Sequence, residues 1–386
     1  MTSRSPQAGQ DAASSPAMWS ERADMAESAI VSRHLRALWA FPATELGVVG
    51  WPATRRERAF GSWHYWWQAH LIDCAVDAAD RVPTPARRKR VVEILRSHRL
   101  RNITGWTNNY YDDMAWLAIA AERAGRAQGV TVANRGLAAL ERKLYEGWNP
   151  EVGGGLPWRT GSDYYNAPAN GPAGIAMMRL GRHTRAQEIA DWLDATLRDP
   201  ETGLILDGIH LPSGTIERPT FTYCQGVVLG LEAELAAHTG APRHLERVHR
   251  LLDAVQGHMT VGGVVKGGGG GDGGLFNGIL ARYLAVVAET LPGSDRQQVE
   301  DRATAAAIVR ASASAAWANR LDVEGEPLFG ANWAQRAQMP GGSAGAGYFT
   351  AGGSVTPSKI PERDLSVQLS GWLLMEAAYR VSAAGL

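Results

Sequence analysis

Residues 114–121, Met-Ala-Trp-Leu-Ala-Ile-Ala-Ala, offer a helix no polar face to turn toward water. The same holds for 226–231, Gly-Val-Val-Leu-Gly-Leu, and for 278–288, which only Arg282 interrupts. Helices of that kind must be buried on every side. Other segments carry a single apolar stripe. In 242–258, Leu245, Val248, Leu252 and Val255 recur at helical spacing between Arg243, Glu246, Arg247 and Arg250. In 184–198, Ile189, Leu193 and Leu197 face Arg185, Glu188, Asp191 and Asp194. Strand-like alternation is scarce. The pattern predicts about twelve helices, near 20–38, 62–81, 86–98, 108–125, 130–147, 168–182, 184–198, 221–239, 242–258, 273–291, 296–320 and 364–383. Buried helices alternating with amphipathic ones in about six pairs describe an all-α (α/α)6 barrel of two concentric rings. Residues 1–18 are small, polar and aperiodic and are expected to be disordered. Residues 19–386 then form one domain.

The buried helices open alike, with polar and aromatic residues. The starts are Trp63–Gln68, Asn108–Asp113, Asp163–Asn166, Phe221–Gln225, Leu275–Asn277 and Asp364–Gln368, most of them roughly 45–60 residues apart. In such a barrel the inner helices run the same way, so their N-termini meet at one mouth, where the helix dipoles favour negative charge. A degenerate repeat therefore locates a cleft before any motif is invoked. The last interval holds a Gly/Pro/Ser-rich loop, 325–362, in which Trp333 and Tyr348 are candidates to cover one end of that cleft.

Composition narrows the partners. Thirty-nine basic residues balance 39 acidic ones, so nothing favours nucleic acid or an anionic membrane, and a neutral substrate fits better. No window reads as a membrane span, and the N-terminus lacks the apolar run of a secretory signal, so the chain as given is expected in the cytoplasm. Cys74 and Cys224 sit in apolar helical stretches and read as buried thiols. The oligomeric state is open. Fourteen tryptophans and ten tyrosines suit a carbohydrate cleft, where a sugar's C–H face packs on a ring.

The chemistry centres on Asp112 and Asp113. Glycoside hydrolysis needs one protonated carboxyl to donate to the leaving oxygen and one ionised carboxyl to stabilise or attack the anomeric carbon. Two like charges so close, beside Tyr110, Tyr111 and Trp116, should push each other's pKa apart. A helix-capping role is the bland alternative, because acidic residues are common in a first helical turn. Trp66, Trp67, Tyr111, Tyr164, Tyr165 and Tyr223 are candidate sugar contacts through their rings. Gln225 and Asn166 are candidates for binding hydroxyls, and Asp272 for reaching the mouth. The tract Gly267–Gly271 lacks the Gly-Lys-Ser/Thr ending of a phosphate loop and reads as a flexible connection. His64 and His70 are six residues apart, which argues against a metal site.

The block Asn108-Asn109-Tyr110-Tyr111-Asp112-Asp113-Met114-Ala115-Trp116 resembles the consecutive-aspartate motif of glycoside hydrolase family 76, the α-1,6-mannanases. Gly153-Gly154-Gly155-Leu156-Pro157-Trp158 resembles that family's Gly-Gly-aromatic loop. Thr222-Tyr223-Cys224-Gln225-Gly226-Val227 resembles its Thr-Tyr-Asn-Gln-Gly segment, and Phe276–Leu284 its Phe-Lys-Gly-Ile-Phe-x-Arg-Tyr-Leu helix. The likeness spans roughly residues 60–380. It implies the (α/α)6 fold and retaining, endo-acting hydrolysis of α-1,6-mannan or mannooligosaccharides, with no metal or other cofactor. By the same resemblance Asp112 is expected as nucleophile and Asp113 as general acid/base. Cys224 replaces the family's usual Asn, and Pro157 stands where an aromatic is common. Two rival readings remain at this level: a sugar epimerase of the acylglucosamine type, which would need histidine bases, and a mannan-binding protein without turnover.

Overall fold

The structure is a computed structural model and describes residues 15–386. Twelve long helices occupy it: α1 Pro16–Arg33, α2 Tyr65–Arg81, α3 Pro85–Arg101, α4 Tyr111–Gln128, α5 Asn134–Glu146, α6 Ala167–Arg179, α7 His183–Leu197, α8 Thr222–Thr239, α9 Pro242–Met259, α10 Gly273–Thr290, α11 Arg296–Asn319 and α12 Leu365–Ala383. Each matches one predicted segment. The even-numbered helices pack in sequence, α2 on α4, then α6, α8, α10 and α12, and α12 returns to α2, so the inner ring closes. Each odd-numbered helix from α3 to α11 packs chiefly on the inner helix before it, α11 also on α12, and α1 covers α12, so the two chain ends complete the sixth pair. The N-terminal disorder expected over 1–18 fails at its end, because Pro16–Met18 begin α1. Pro16 supplies a pre-set φ at the first helical position, and the Ser15 side chain accepts a hydrogen bond from the Met18 N–H. The remainder of that segment lies outside the described residues.

Inner helices approach closely because glycines face their neighbours. A Cβ on Gly226 would stand 2.8 Å from the Cα of Leu280, and one on Gly278 would stand 2.6 Å from the Cα of Ser370. Among the described residues, β-structure amounts to four antiparallel sheets of two or three short strands. The largest joins β1 Tyr164–Asn166, β2 Gly208–His210 and β3 Thr215–Glu217, with Tyr165 opposite Ile209 and Ile209 opposite Ile216. No helix of the described residues is long and apolar enough to cross a membrane.

The ring has two ends. Arg81, Arg126, Arg179, Glu234, Thr290 and Arg380, at or near the C-terminal ends of the six inner helices, line one cavity. Inside it Asp73 and Asp77 of α2 share Arg123 of α4 and Arg282 of α10, with Arg282 Nη1 2.9 Å from Asp73 Oδ2. Burial alone would raise the Asp73 carboxyl; the guanidiniums of Arg123 and Arg282 outweigh it and hold that carboxyl below the usual range. The cluster ties three inner helices together. Arg282→Leu leaves two buried carboxylates with one cation, and is expected to cost about 3–5 kcal/mol of stability. Thermal unfolding at neutral pH checks this, and a melting temperature within a degree of wild type would contradict it.

Candidate active site

The other end gathers the helix starts. Trp66 of α2, Asp112 and Asp113 of α4, Asn166 and Pro168 at α6, Tyr223 of α8, and Asp272 and Phe276 at α10 line one cavity of about 300 Å³. This places five inner-helix N-termini at one mouth.

Asp112 and Asp113 occupy the first turn of α4, which has no side-chain N-cap and begins after Tyr110. The Tyr111 N–H donates to the Trp158 carbonyl at 2.9 Å, which fixes the helix entry against the preceding loop of α6. Asp112 Oδ1 accepts from the Asp113 N–H at 2.8 Å, and Oδ2 accepts from the Trp158 indole at 2.9 Å. Asp113 Oδ2 accepts from the Asn108 amide at 2.5 Å, while Asn108 Oδ1 holds the Tyr110 N–H. The two carboxyls are therefore treated differently. Burial raises both. Two N–H donors hold Asp112 back; the Asn108 amide acts the same way on Asp113, but the neighbouring Asp112 charge outweighs it and drives Asp113 higher still. The pair titrates as a unit in which Asp112 ionises first and Asp113 keeps its proton longer.

Among the described residues, Asp272 is another of the four carboxylates on the cavity wall, with Asp112, Asp113 and Asp207. Its Oδ1 accepts from the indoles of Trp66 and Trp67 at 3.0 and 2.9 Å, and its Oδ2 from the Val355 N–H at 2.6 Å. It thus fixes α2 against a hairpin of the long loop, in which Phe349 bridges to Val355 and the Thr350 N–H donates to the Ser354 carbonyl at 2.8 Å. That hairpin crosses the mouth. Phe349 and Gly353–Val355 line the cavity, and a Cβ on Gly353 would stand 2.7 Å from the Trp158 ring. The loop does reach the cleft, but not through the aromatics expected. Trp333 is buried in the core, and Tyr348 is exposed and off the lining. The glycine tract is likewise not a loose connection. A Cβ on Gly268 would strike the Ala331 carbonyl, and the Gly271 N–H donates to Asp364 Oδ2 at 2.7 Å.

Trp66, Asn166, Tyr223 and Asp272 stand at the cavity as expected, and Tyr223 stacks on Phe276 with centroids 4.0 Å apart. Four expected contacts do not reach it. Trp67 is buried and spends its indole on Asp272. The ring of Tyr111 lies against Gly147 of the neighbouring loop. Tyr165, buried, accepts from the Asn149 amide behind the sheet. Gln225 is fully buried and binds backbone: its Oε1 accepts from the Ile205 N–H, and its Nε2 donates to the carbonyls of Ile205 and Phe221. It shapes the α8 entry and is not on the cavity lining. Among the lining residues missed are Tyr110, Trp158, Asp207, Phe221, Phe276 and the hairpin. Both cysteines are buried free thiols. His64 lines the cavity at φ +47°, and burial lowers its imidazole to about 4, so it is neutral at physiological pH.

Residues 25–360 match the model of glycosyl hydrolase family 76. The structure resembles that of the GH76A α-1,6-mannanase of Salegentibacter sp. HEL1_6, with a TM-score of 0.78 and 28% identity over 94% of this chain and 99% of that one. An inactive variant of the same mannanase, with two consecutive aspartates changed to asparagine and in complex with α-1,6-mannotriose, matches at 29% identity with the same TM-score and coverage. A mannan endo-1,6-α-mannosidase of Candida glabrata, DCW1, is 30% identical over 175 residues, which take in 39% of this chain and 39% of that relative's length.

Proposed function

The chain belongs to glycosyl hydrolase family 76, and on that premise we propose that it hydrolyses α-1,6-mannosidic bonds within linear mannan or mannooligosaccharides, with retention, through Asp112 and Asp113. The observation that carries this reading is the unequal treatment of two adjacent carboxyls on one cavity wall. The inactive, mannotriose-bound relative with two consecutive aspartates replaced supports it.

In the first step an Asp112 oxygen attacks the anomeric carbon from the β face. The bond to the leaving O6 breaks, and Asp113 gives that oxygen its proton. The result is a β-mannosyl ester on Asp112 and an anionic Asp113. In the second step Asp113 takes a proton from water, whose oxygen attacks the same carbon from the α face and releases Asp112. The indole of Trp158 and the N–H of Asp113 orient the attacking carboxylate, and desolvation keeps Asp113 protonated for its first task. Trp66 and the Tyr223–Phe276 stack offer apolar faces to sugar rings. The isomerase alternative would rest on His64, since among the described residues no other histidine lines the cavity.

Incubation with linear α-1,6-mannan followed by product sizing tests the reading. A ladder of mannooligosaccharides is expected. Mannose alone would contradict internal cleavage, and an unchanged polymer with bound protein would favour a binding role.

Trp158→Phe gives a pH test. Losing the indole N–H removes a donor that favours the anion, so the Asp112 pKa rises. The acid limb of the kcat/KM profile should move to higher pH, with the alkaline limb moving less. An unshifted acid limb would mean that Asp112 is not the group titrating there.

A further inference from the structure

We propose that Asp207 is a specificity-determining residue whose carboxylate accepts a hydrogen bond from a hydroxyl of the mannosyl unit in the cleft. The proposal rests on the mannosidase reading above and adds a contact that no motif in the sequence marks. Asp207 immediately precedes β2 and lines the cavity that holds Asp112 and Asp113. Its backbone is fixed on both sides: its N–H donates to the Pro219 carbonyl and its carbonyl accepts from the Ala167 N–H, each at 2.8 Å. The side chain is therefore presented by a rigid sheet edge.

The two carboxylate oxygens differ in how well they are satisfied. Oδ2 accepts from the Tyr164 hydroxyl at 2.5 Å. Oδ1 has, among the described residues, only the Cys224 thiol, 3.8 Å away. A thiol is a weak donor. A half-buried carboxylate oxygen on the cavity wall whose one protein donor is weak is ready to accept a stronger donor from the cleft, and burial raises the Asp207 carboxyl. A sugar hydroxyl entering the cavity supplies that donor. A chain of contacts along the wall links it to the paired acids: Asp112 binds the Trp158 indole, Trp158 meets the Tyr164 ring edge-on at 6.2 Å, and Tyr164 binds Asp207. One aromatic pair separates the two acids, so Asp207 faces the ring whose anomeric carbon Asp112 attacks, or the ring next to it.

The test compares wild type with Asp207→Leu on an aryl α-mannoside and its 2-, 3-, 4- and 6-deoxy analogues. Losing a hydrogen bond to a charged acceptor should lower kcat/KM by roughly 10- to 100-fold. In wild type one deoxy analogue should show that loss. In Asp207→Leu the same analogue should react no more slowly than the parent sugar, because the contact is already gone. Asp207→Asn, which keeps the volume and the fold, should show the same pattern with a smaller loss. If either folded variant discriminates among all the analogues as wild type does, the proposal is overturned. Calorimetric titration with α-1,6-mannotriose separates this from failure of the function itself. Binding that weakens in both Asp207 variants supports the contact even if turnover of aryl substrates is slow. Equal affinity in wild type and variants overturns the contact, and an absence of binding to wild type overturns the mannosidase reading together with it.

Discussion

Asp112→Asn is expected to lower kcat on α-1,6-mannooligosaccharides by roughly four orders of magnitude or more, because an amide cannot form the glycosyl ester and nothing else at the α4 start can take its place. An asparagine there has one acceptor oxygen, so it keeps the bond from the Asp113 N–H or from the Trp158 indole and turns its NH2 toward the other donor, losing one hydrogen bond at nearly unchanged volume. The stability effect is small. The Asp112 pKa in the folded protein lies above its unfolded value, so at neutral pH the ionised carboxyl opposes folding and becomes less costly as pH falls. Removing the charge offsets the lost hydrogen bond, so the melting temperature should change little at pH 7, and the balance should move against the variant toward acid pH, where the wild-type carboxyl is less costly. Measuring kcat and the melting temperature on the same preparation checks both effects. Lost activity accompanied by a large drop in melting temperature would point to a structural role in capping α4.

Asp113→Ala should divide substrates by leaving group. A poor leaving group such as the O6 of mannose needs the proton, and the loss on α-1,6-mannobiose is expected to be roughly 10²–10⁴-fold. An activated aryl α-mannoside leaves without help, so its first step should be nearly spared and the covalent ester should accumulate, since no base remains to activate water. Azide needs no such base and should restore turnover, giving α-mannosyl azide. Asp113 is half-buried beside Asn108 and pushed upward by desolvation and by the Asp112 charge, which is what suits it to hold a proton in neutral solution. Equal losses on both substrates, with no rescue, would mean that the two aspartates exchange roles.

The barrel was legible in the sequence because burial leaves a strong mark: an inner helix has no wet face, and the twelve long helices fall where that contrast placed them. The mouth was legible for the same reason, since polar and aromatic residues at the start of an apolar helix need somewhere to go. Which member of a pair faces the cavity was not. Trp66 and Trp67 are neighbours on α2, and successive helical residues diverge by about 100°, so one lines the cavity and the other props Asp272 from behind. At Tyr164–Asn166 the chain is a short strand rather than a helix start, and successive residues point to opposite sides. Tyr164 therefore faces inward and Tyr165 packs behind it. Gln225 misled for another reason: a polar residue in an apolar run can serve the substrate or the backbone, and here three backbone bonds consume it. Asp207 and the 348–356 hairpin come from connections whose path depends on tertiary contacts, and periodicity says nothing about those. Trp158 was visible in the Gly-Gly-aromatic loop, but its indole bond to Asp112 was not.

The most direct test is proton NMR of the first product formed from α-1,6-mannotriose, recorded before mutarotation mixes the anomers. A single experiment reports whether the glycosidic bond is broken and from which face water arrives. A covalent path through Asp112 predicts that the α-anomer signal of the new reducing end appears first and the β signal grows in later. An initial β signal would mean direct displacement by water and leave Asp112 no covalent role, and spectra that stay unchanged with folded protein would contradict the hydrolase account altogether.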